Sequence, residues 1–189
     1  MARIPYADPD RPEVQDIVRR ITAERGSVLH LYRMLLHSPP IAAGWLACFT
    51  AIRQQSSLPG DLRELVIMRI AIVNGASYEA EQHAPIALRE GLTQAQLDAL
   101  PDWEGSDLFD PRQRAVLAYA DAMTRDVRVR DEVFAAIRPA FDDRRLVELT
   151  ATIAGYNMVS RFLEALKLLG GDETKPSSAS SLSCCGTGI

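Results

Sequence analysis

Aromatic residues make up only 6% of the 189-residue chain. Strands draw on aromatic and β-branched side chains, so this scarcity argues against a β-sandwich. Three cysteines are too few for a disulfide framework. They form no Cys-x-x-Cys pair and no Cys/His metal spacing, so no metal site is expected. No glycine-rich loop follows a strand, so both nucleotide fingerprints are missing. The nucleophile-elbow and zinc-protease motifs are missing too. The formal net charge is −4 and no basic stripe stands out, which leaves nucleic-acid binding without support. No apolar run approaches the roughly 18 residues needed to span a bilayer. Met1 to Asp10 is polar and contains proline, unlike a signal peptide. The expectation is a cytoplasmic protein in a reducing compartment, with no membrane and no nucleic-acid partner.

What the chain does have is helix-forming pattern. Hydrophobic residues supply 47%, largely as Ala and Leu, which favour helices. The fold class expected is all-α. Pro12-Glu13 opens a helix towards Arg25, ended by Gly26. Ser27 caps a second helix with Leu31, Met34 and Leu35 on one face. Ser38-Pro39 starts a third, with Ile41, Trp45, Phe49 and Ile52 as its apolar stripe. Cys48, in the same run, reads as a small buried hydrophobe. Asp61 to Glu64 has the form of a capping box. The run from Leu62 to Val73 is apolar on nearly every side, as in a buried helix or one at a subunit interface. Asn74-Gly75 makes a tight turn, and Ser77 opens a helix reaching Glu90. Thr93 to Gln96 and Asp110 to Gln113 are further capping signals. A shorter helix covers Asp131 to Arg138. Asp142 caps a last long helix reaching about Leu169. Gly155 within it costs roughly 1 kcal/mol relative to Ala, which points to close packing there.

From Gly170 the composition turns to Gly, Ser, Thr and Pro without apolar period. Such a segment buries too little surface to offset its ordering entropy. The organisation expected is one helical domain, residues 1–169, followed by a flexible tail, residues 170–189. Cys184 and Cys185 read as reduced thiols in that tail.

The chemically informative stretch runs from Arg63 to Ala84: a helix, an Asn-Gly turn and a second helix. Glu79 and His83 lie four apart, hence on one face of the second helix. A Glu beside a His raises its basicity and fixes its tautomer. If Glu64 approaches from the partner helix, His83 is held between acids, an arrangement suited to proton transfer. Each residue also has a structural reading. Glu64 is half of a capping box, Glu79 a first-turn acid facing the helix dipole, His83 a core or surface histidine. Pro85 falls inside the second helix and implies a kink just beyond His83.

This stretch resembles the carboxymuconolactone decarboxylase and alkylhydroperoxidase-D superfamily. The redox branch has Glu, eleven residues, Cys-x-x-Cys, three residues and His. Glu64 and His83 match its Glu and His at the same separation. Ala76 and Glu79 hold the two cysteine positions. The decarboxylase-type branch also lacks the cysteines and often has Tyr-Glu before the His, as Tyr78-Glu79 do here. The block from Val147 to Leu166 looks like the family's closing helix.

The resemblance implies a helical fold with a central helix-turn-helix hairpin, and a homo-oligomer built as a dimer, trimer or hexamer. Peroxide reduction needs an attacking thiolate and a resolving thiol, which Ala76 and Glu79 cannot supply. The function expected is therefore that of a cofactor-independent lyase or isomerase, decarboxylase-like, acting in aromatic compound catabolism on a small carboxylated lactone or keto-acid. His83 moves the proton, Glu64 orients it and Glu79 assists. Tyr78 donates to a developing enolate. Arg69 and Arg161 are candidates to hold a substrate carboxylate, since Arg presents a bidentate fork. Two alternatives stay open: a non-catalytic ligand-binding or scaffold protein on the same fold, and a residual peroxidase or oxidoreductase using Cys48 or the tail thiols.

Overall fold

The structure, a computed structural model, describes residues 1–168. Leu169 and the expected tail, with Cys184 and Cys185, lie outside the described residues. The helices run in the order α1 (Gln15–Arg25), α2 (His30–Leu35), α3 (Pro39–Thr50), α4 (Gly60–Asn74), α5 (Ser77–Arg89), α6 (Gln94–Ala99), α7 (Pro111–Arg125), α8 (Asp131–Ile137) and α9 (Asp143–Leu166). Short 3-10 turns and one π-helical turn, Ala51–Gln55, join them. Among the described residues there is no strand, and no helix is long and apolar enough to cross a membrane.

Helix α4 is the centre of the domain, packed against α5, α7 and α9. Its uniform apolarity serves a core: Leu62, Leu65, Val66, Ile67 and Ile70 are all buried within this one chain. Each such side chain contributes about 1.5–3 kcal/mol relative to exposure. The helix stops because Gly75 adopts φ +67°, a left-handed conformation that favours glycine. Ala76 N–H then reaches back to Ala71 O at 2.8 Å. That closure turns the chain sharply, so α5 folds back along α4 and the hairpin forms. Helix α5 continues through Pro85 as a single element to Arg89.

Local signals account for several helix starts. Thr93 and Gln96 form a capping box, as do Asp110 and Gln113. Asp142 accepts from Arg145 N–H at 2.8 Å. Two expected caps are absent. Helix α2 begins at His30 after Leu29, three residues beyond Ser27. Helix α4 begins at Gly60 after Pro59, which leaves Asp61 inside the first turn rather than at its cap.

Two expectations for α3 are corrected. Its buried face is built from Ala42, Trp45, Leu46 and Phe49. Ile41 and Cys48, seven apart and so on one line along the helix, fall beyond its edge. Ile41 is 56% exposed and the Cys48 thiol is exposed.

Gly155 on α9 packs closely against α3 and its π-helical turn. A Cβ there would stand 3.1 Å from Ile52 Cδ1 and 3.4 Å from Phe49 Cε1. The N-terminal arm is tied down as well. Arg3 N–H bonds to Leu166 O at 2.9 Å, Ala7 N–H to Arg33 O at 3.1 Å, and Tyr6 stacks on His30.

Candidate active site

Because α4 starts at Gly60, Glu64 is its fifth residue and is turned inward rather than back to the cap. It is fully buried. Its Oε2 accepts from His83 Nδ1 at 2.7 Å, across the α4–α5 hairpin. Its Oε1 accepts from Arg63 Nε at 3.1 Å. Burial alone pushes this carboxyl up. The hydrogen bond and charge of His83, then those of Arg63, more than offset it and hold the group below its ordinary value. Burial pushes the His83 imidazole down, and Glu64 only partly restores it. The resulting state is a carboxylate beside a neutral imidazole. Donation of Nδ1–H to Glu64 fixes the tautomer and leaves Nε2 as the basic nitrogen. The Tyr156 ring meets His83 edge-on, with centroids 5.1 Å apart.

Glu79 has a different environment. It is buried, and its Oε2 accepts from Ser160 Oγ on α9 at 2.7 Å. Its Oε1 is buried with no hydrogen-bond partner among the described residues. Burial, opposed by the Ser160 bond and aided by Glu164, pushes this carboxyl up to about 8. Glu79 is therefore mainly protonated at neutral pH. The expectation placed it beside His83 as a second acid. The hydrogen bond it makes runs instead to the opposite helix, and the carboxylate bonded to His83 is that of Glu64.

His83, Glu79, Tyr78 and Tyr156 line one cavity of about 380 Å³, within the size range of small-molecule sites. Trp45, Phe49, Leu163 and Tyr32 supply apolar wall. Glu64 is not among the lining residues; it touches His83 directly and its charge also reaches Tyr156. Neither arginine expected to hold substrate is among the lining residues. Arg69 is buried and forms a two-point pair with Asp121, Nε to Oδ1 and Nη2 to Oδ2, both 2.7 Å. Its Nη1 donates to Leu100 O at 2.8 Å. Arg161 donates back to Asn157 in its own helix, at 2.6 Å to Oδ1 and 3.0 Å to the carbonyl. Arg53 does line the cavity. It sits on the π-helical turn after α3, a widening that recurs at functional sites. Sequence pattern did not single it out, because Arg53-Gln-Gln reads as a solvated polar face. Among the described residues no three His, Cys, Asp or Glu side chains are grouped to hold a metal ion.

The solved structures similar to this one share its fold. One is the alkylhydroperoxidase AhpD core, an uncharacterized peroxidase-related protein from Ralstonia eutropha JMP134. It is 20% identical, with a TM-score of 0.77 over 91% of this chain and 93% of that one. The architecture is thus the AhpD-like helical fold. Residues 39–122, which hold the hairpin, match the model of the Carboxymuconolactone decarboxylase family. The uncharacterized protein YdfG of Bacillus subtilis (strain 168) is 28% identical over 115 residues, 60% of this chain and 78% of YdfG. The uncharacterized protein YnjA of Escherichia coli (strain K12) is 32% identical over 127 residues, 66% of each. The chain belongs to the carboxymuconolactone decarboxylase/AhpD-like superfamily.

Proposed function

We propose that this chain is a cofactor-independent lyase or isomerase of the carboxymuconolactone decarboxylase type, moving a proton on a small carboxylated lactone or keto-acid. The observation that carries the reading is the buried 2.7 Å Glu64–His83 bond behind the wall of an aromatic-lined cavity. A neutral imidazole whose Nδ1–H is bound by a carboxylate is a base at Nε2 and is stabilised when it becomes charged. Glu79 supplies the opposite function. Burial keeps its proton on, so it is an acid facing the same space, and two groups pushed apart in pKa make an acid–base pair.

In an isomerisation, His83 Nε2 takes a proton from the carbon beside a carbonyl. The C–H electrons form a carbon–carbon double bond, and the carbonyl oxygen takes the Glu79 proton to give an enol. In a substrate already unsaturated at β,γ this enol is a dienol: His83 returns its proton to the γ carbon, the double bond shifts to α,β, the carbonyl re-forms and the enol proton goes back to Glu79. In a decarboxylation, the bond to the carboxylate breaks, CO₂ leaves, and the electron pair remains as an enolate. Glu79 protonates it and is reprotonated from solvent. Tyr78, buried at the cavity wall, is a second contact for the enolate oxygen.

The test is turnover of γ-carboxymuconolactone and related keto-acids by the wild type, His83→Gln and Glu64→Gln. General-base loss predicts a drop of roughly 10²–10⁴ in rate for His83→Gln. Ligand-dependent melting shifts without turnover in the wild type would instead indicate a binding protein on this fold.

A further inference from the structure

The cavity presents three guanidinium groups, from Arg25, Arg53 and Arg89, and they are not equivalent. Arg25 is committed to the protein. It donates to Thr50 Oγ1 at 2.8 Å and to Tyr32 Oη at 3.2 Å, and lies 3.9 Å from the Glu24 carboxylate. It thereby neutralises Glu24, which with Glu79 is the acidic lining among the described residues. Arg89 is exposed at the last residue of α5. Arg53 is half-buried and has no hydrogen bond or ion pair among the described residues. Its charge nevertheless reaches inward, since it opposes protonation of His83 and favours ionisation of Tyr156. A partly desolvated guanidinium beside aromatic wall, with no counter-ion among the described residues, is suited to an anion.

We infer that Arg53 is the carboxylate anchor of this cavity, so that its ligand is a small, flat organic carboxylate, one carboxylate group of which sits on Arg53 while its body lies against Trp45, Phe49 and Tyr156 with one carbon at His83. This deepens the proton-transfer reading, on which it rests for the orientation towards His83. It also constrains the chemistry. A carboxylate paired with a guanidinium is stabilised in the ground state more than in a transition state that drains its charge into carbon. The anchored carboxylate is therefore retained. Either the reaction is an isomerisation, or the group lost as CO₂ is a second carboxylate placed away from Arg53.

The test uses the full chain and calorimetric titration with benzoate, with benzamide as the uncharged isostere. The wild type binds benzoate more tightly than benzamide. Arg53→Gln weakens benzoate binding about tenfold to a hundredfold, as expected for loss of a charged hydrogen-bond partner, and leaves benzamide unchanged. Arg53→Lys recovers part of the loss, which separates a charge effect from misfolding. The proposal is overturned if the wild type does not prefer benzoate, if Arg53→Gln binds it like the wild type, or if Arg89→Gln rather than Arg53→Gln abolishes the preference. Loss of turnover in His83→Gln is read separately, so failure of the anchor and failure of the proton-transfer reading are distinct results.

Discussion

The Glu64 carboxylate and the His83 imidazole, nineteen residues apart, meet at 2.7 Å in the interior of the α4–α5 hairpin, with His83 alone of the two lining the cavity. Glu64 is thus a positioning residue, and its effects should be readable on His83. Glu64 raises the imidazole pKa against burial, so Glu64→Gln should lower it further. A titration of the His83 ring by NMR checks this, and an unchanged or higher value contradicts the pairing. Glu64→Ala also leaves the His83 Nδ1–H buried without its acceptor, while Arg63 keeps its pairing with Glu90. Leaving a buried neutral donor unsatisfied costs about 1–3 kcal/mol, which chemical denaturation would show as an early midpoint.

Glu79 should give stability an unusual pH dependence. Its folded value of about 8 lies above the ordinary 4.5. Between these values the folded state holds a proton that the unfolded state has released. Stability from this group is complete below pH 4.5 and is lost as pH rises through about 8. His83, held below its ordinary 6.5, acts oppositely, and its contribution is lost as pH falls below that value. The clean window for Glu79 is thus from 6.5 to about 8. There the wild type should lose at most ~1.4 kcal/mol per pH unit from this one proton. Glu79→Gln keeps the shape and removes the titration. Its melting temperature should stay level across that window, and a decline parallel to the wild type would refute the assignment.

Arg69 should behave as a structural residue. Its guanidinium ties α4 to α7 through Asp121, and to the 3-10 turn through the Leu100 and Pro101 carbonyls. Trp103 Nε1 donates to the same Asp121. Arg69→Ala leaves Asp121 and the carbonyls poorly paired and should destabilise the fold by about 3–5 kcal/mol. Carboxylate affinity of the molecules that remain folded should be unchanged. A selective loss of ligand binding at wild-type stability would place Arg69 in the site after all.

The hairpin was legible in the sequence because its signals are local. A glycine must take the left-handed turn at 75, and the Glu64–His83 separation follows from two helices closing on it. The two roles of the carboxylates were less legible. Glu64 and Glu79 differ in partners contributed by distant segments, and Ser160 is 81 residues from Glu79. Arg69 was misplaced for the same reason, since nothing near it reveals Asp121, 52 residues on. Cys48 shows a different failure. An apolar run averages over a helix, while burial depends on angle, and position 48 falls off the Trp45–Phe49 face. Arg53 needed the π-helical turn, which packing produces and no residue pattern announces.

Gly155 links the scaffold to the cavity. A Cβ there meets Ile52 Cδ1 at 3.1 Å and Phe49 Cε1 at 3.4 Å. Phe49 is cavity wall, and Ile52 immediately precedes Arg53. Alanine at 155 gains up to ~1 kcal/mol of helix propensity and asks Ile52 to shift by a few tenths of an ångström, so the two effects nearly cancel. Leucine has no such escape, because its branch must displace both neighbours. Overpacking of this kind costs typically 1–3 kcal/mol. The displaced turn carries Arg53 with it, so Gly155→Leu should lose benzoate affinity along with stability, whereas Gly155→Ala should keep both near the wild type. Titration and thermal melting of the two variants measure this, and a Gly155→Leu protein with wild-type affinity would show that the π-helical turn is held independently of α9.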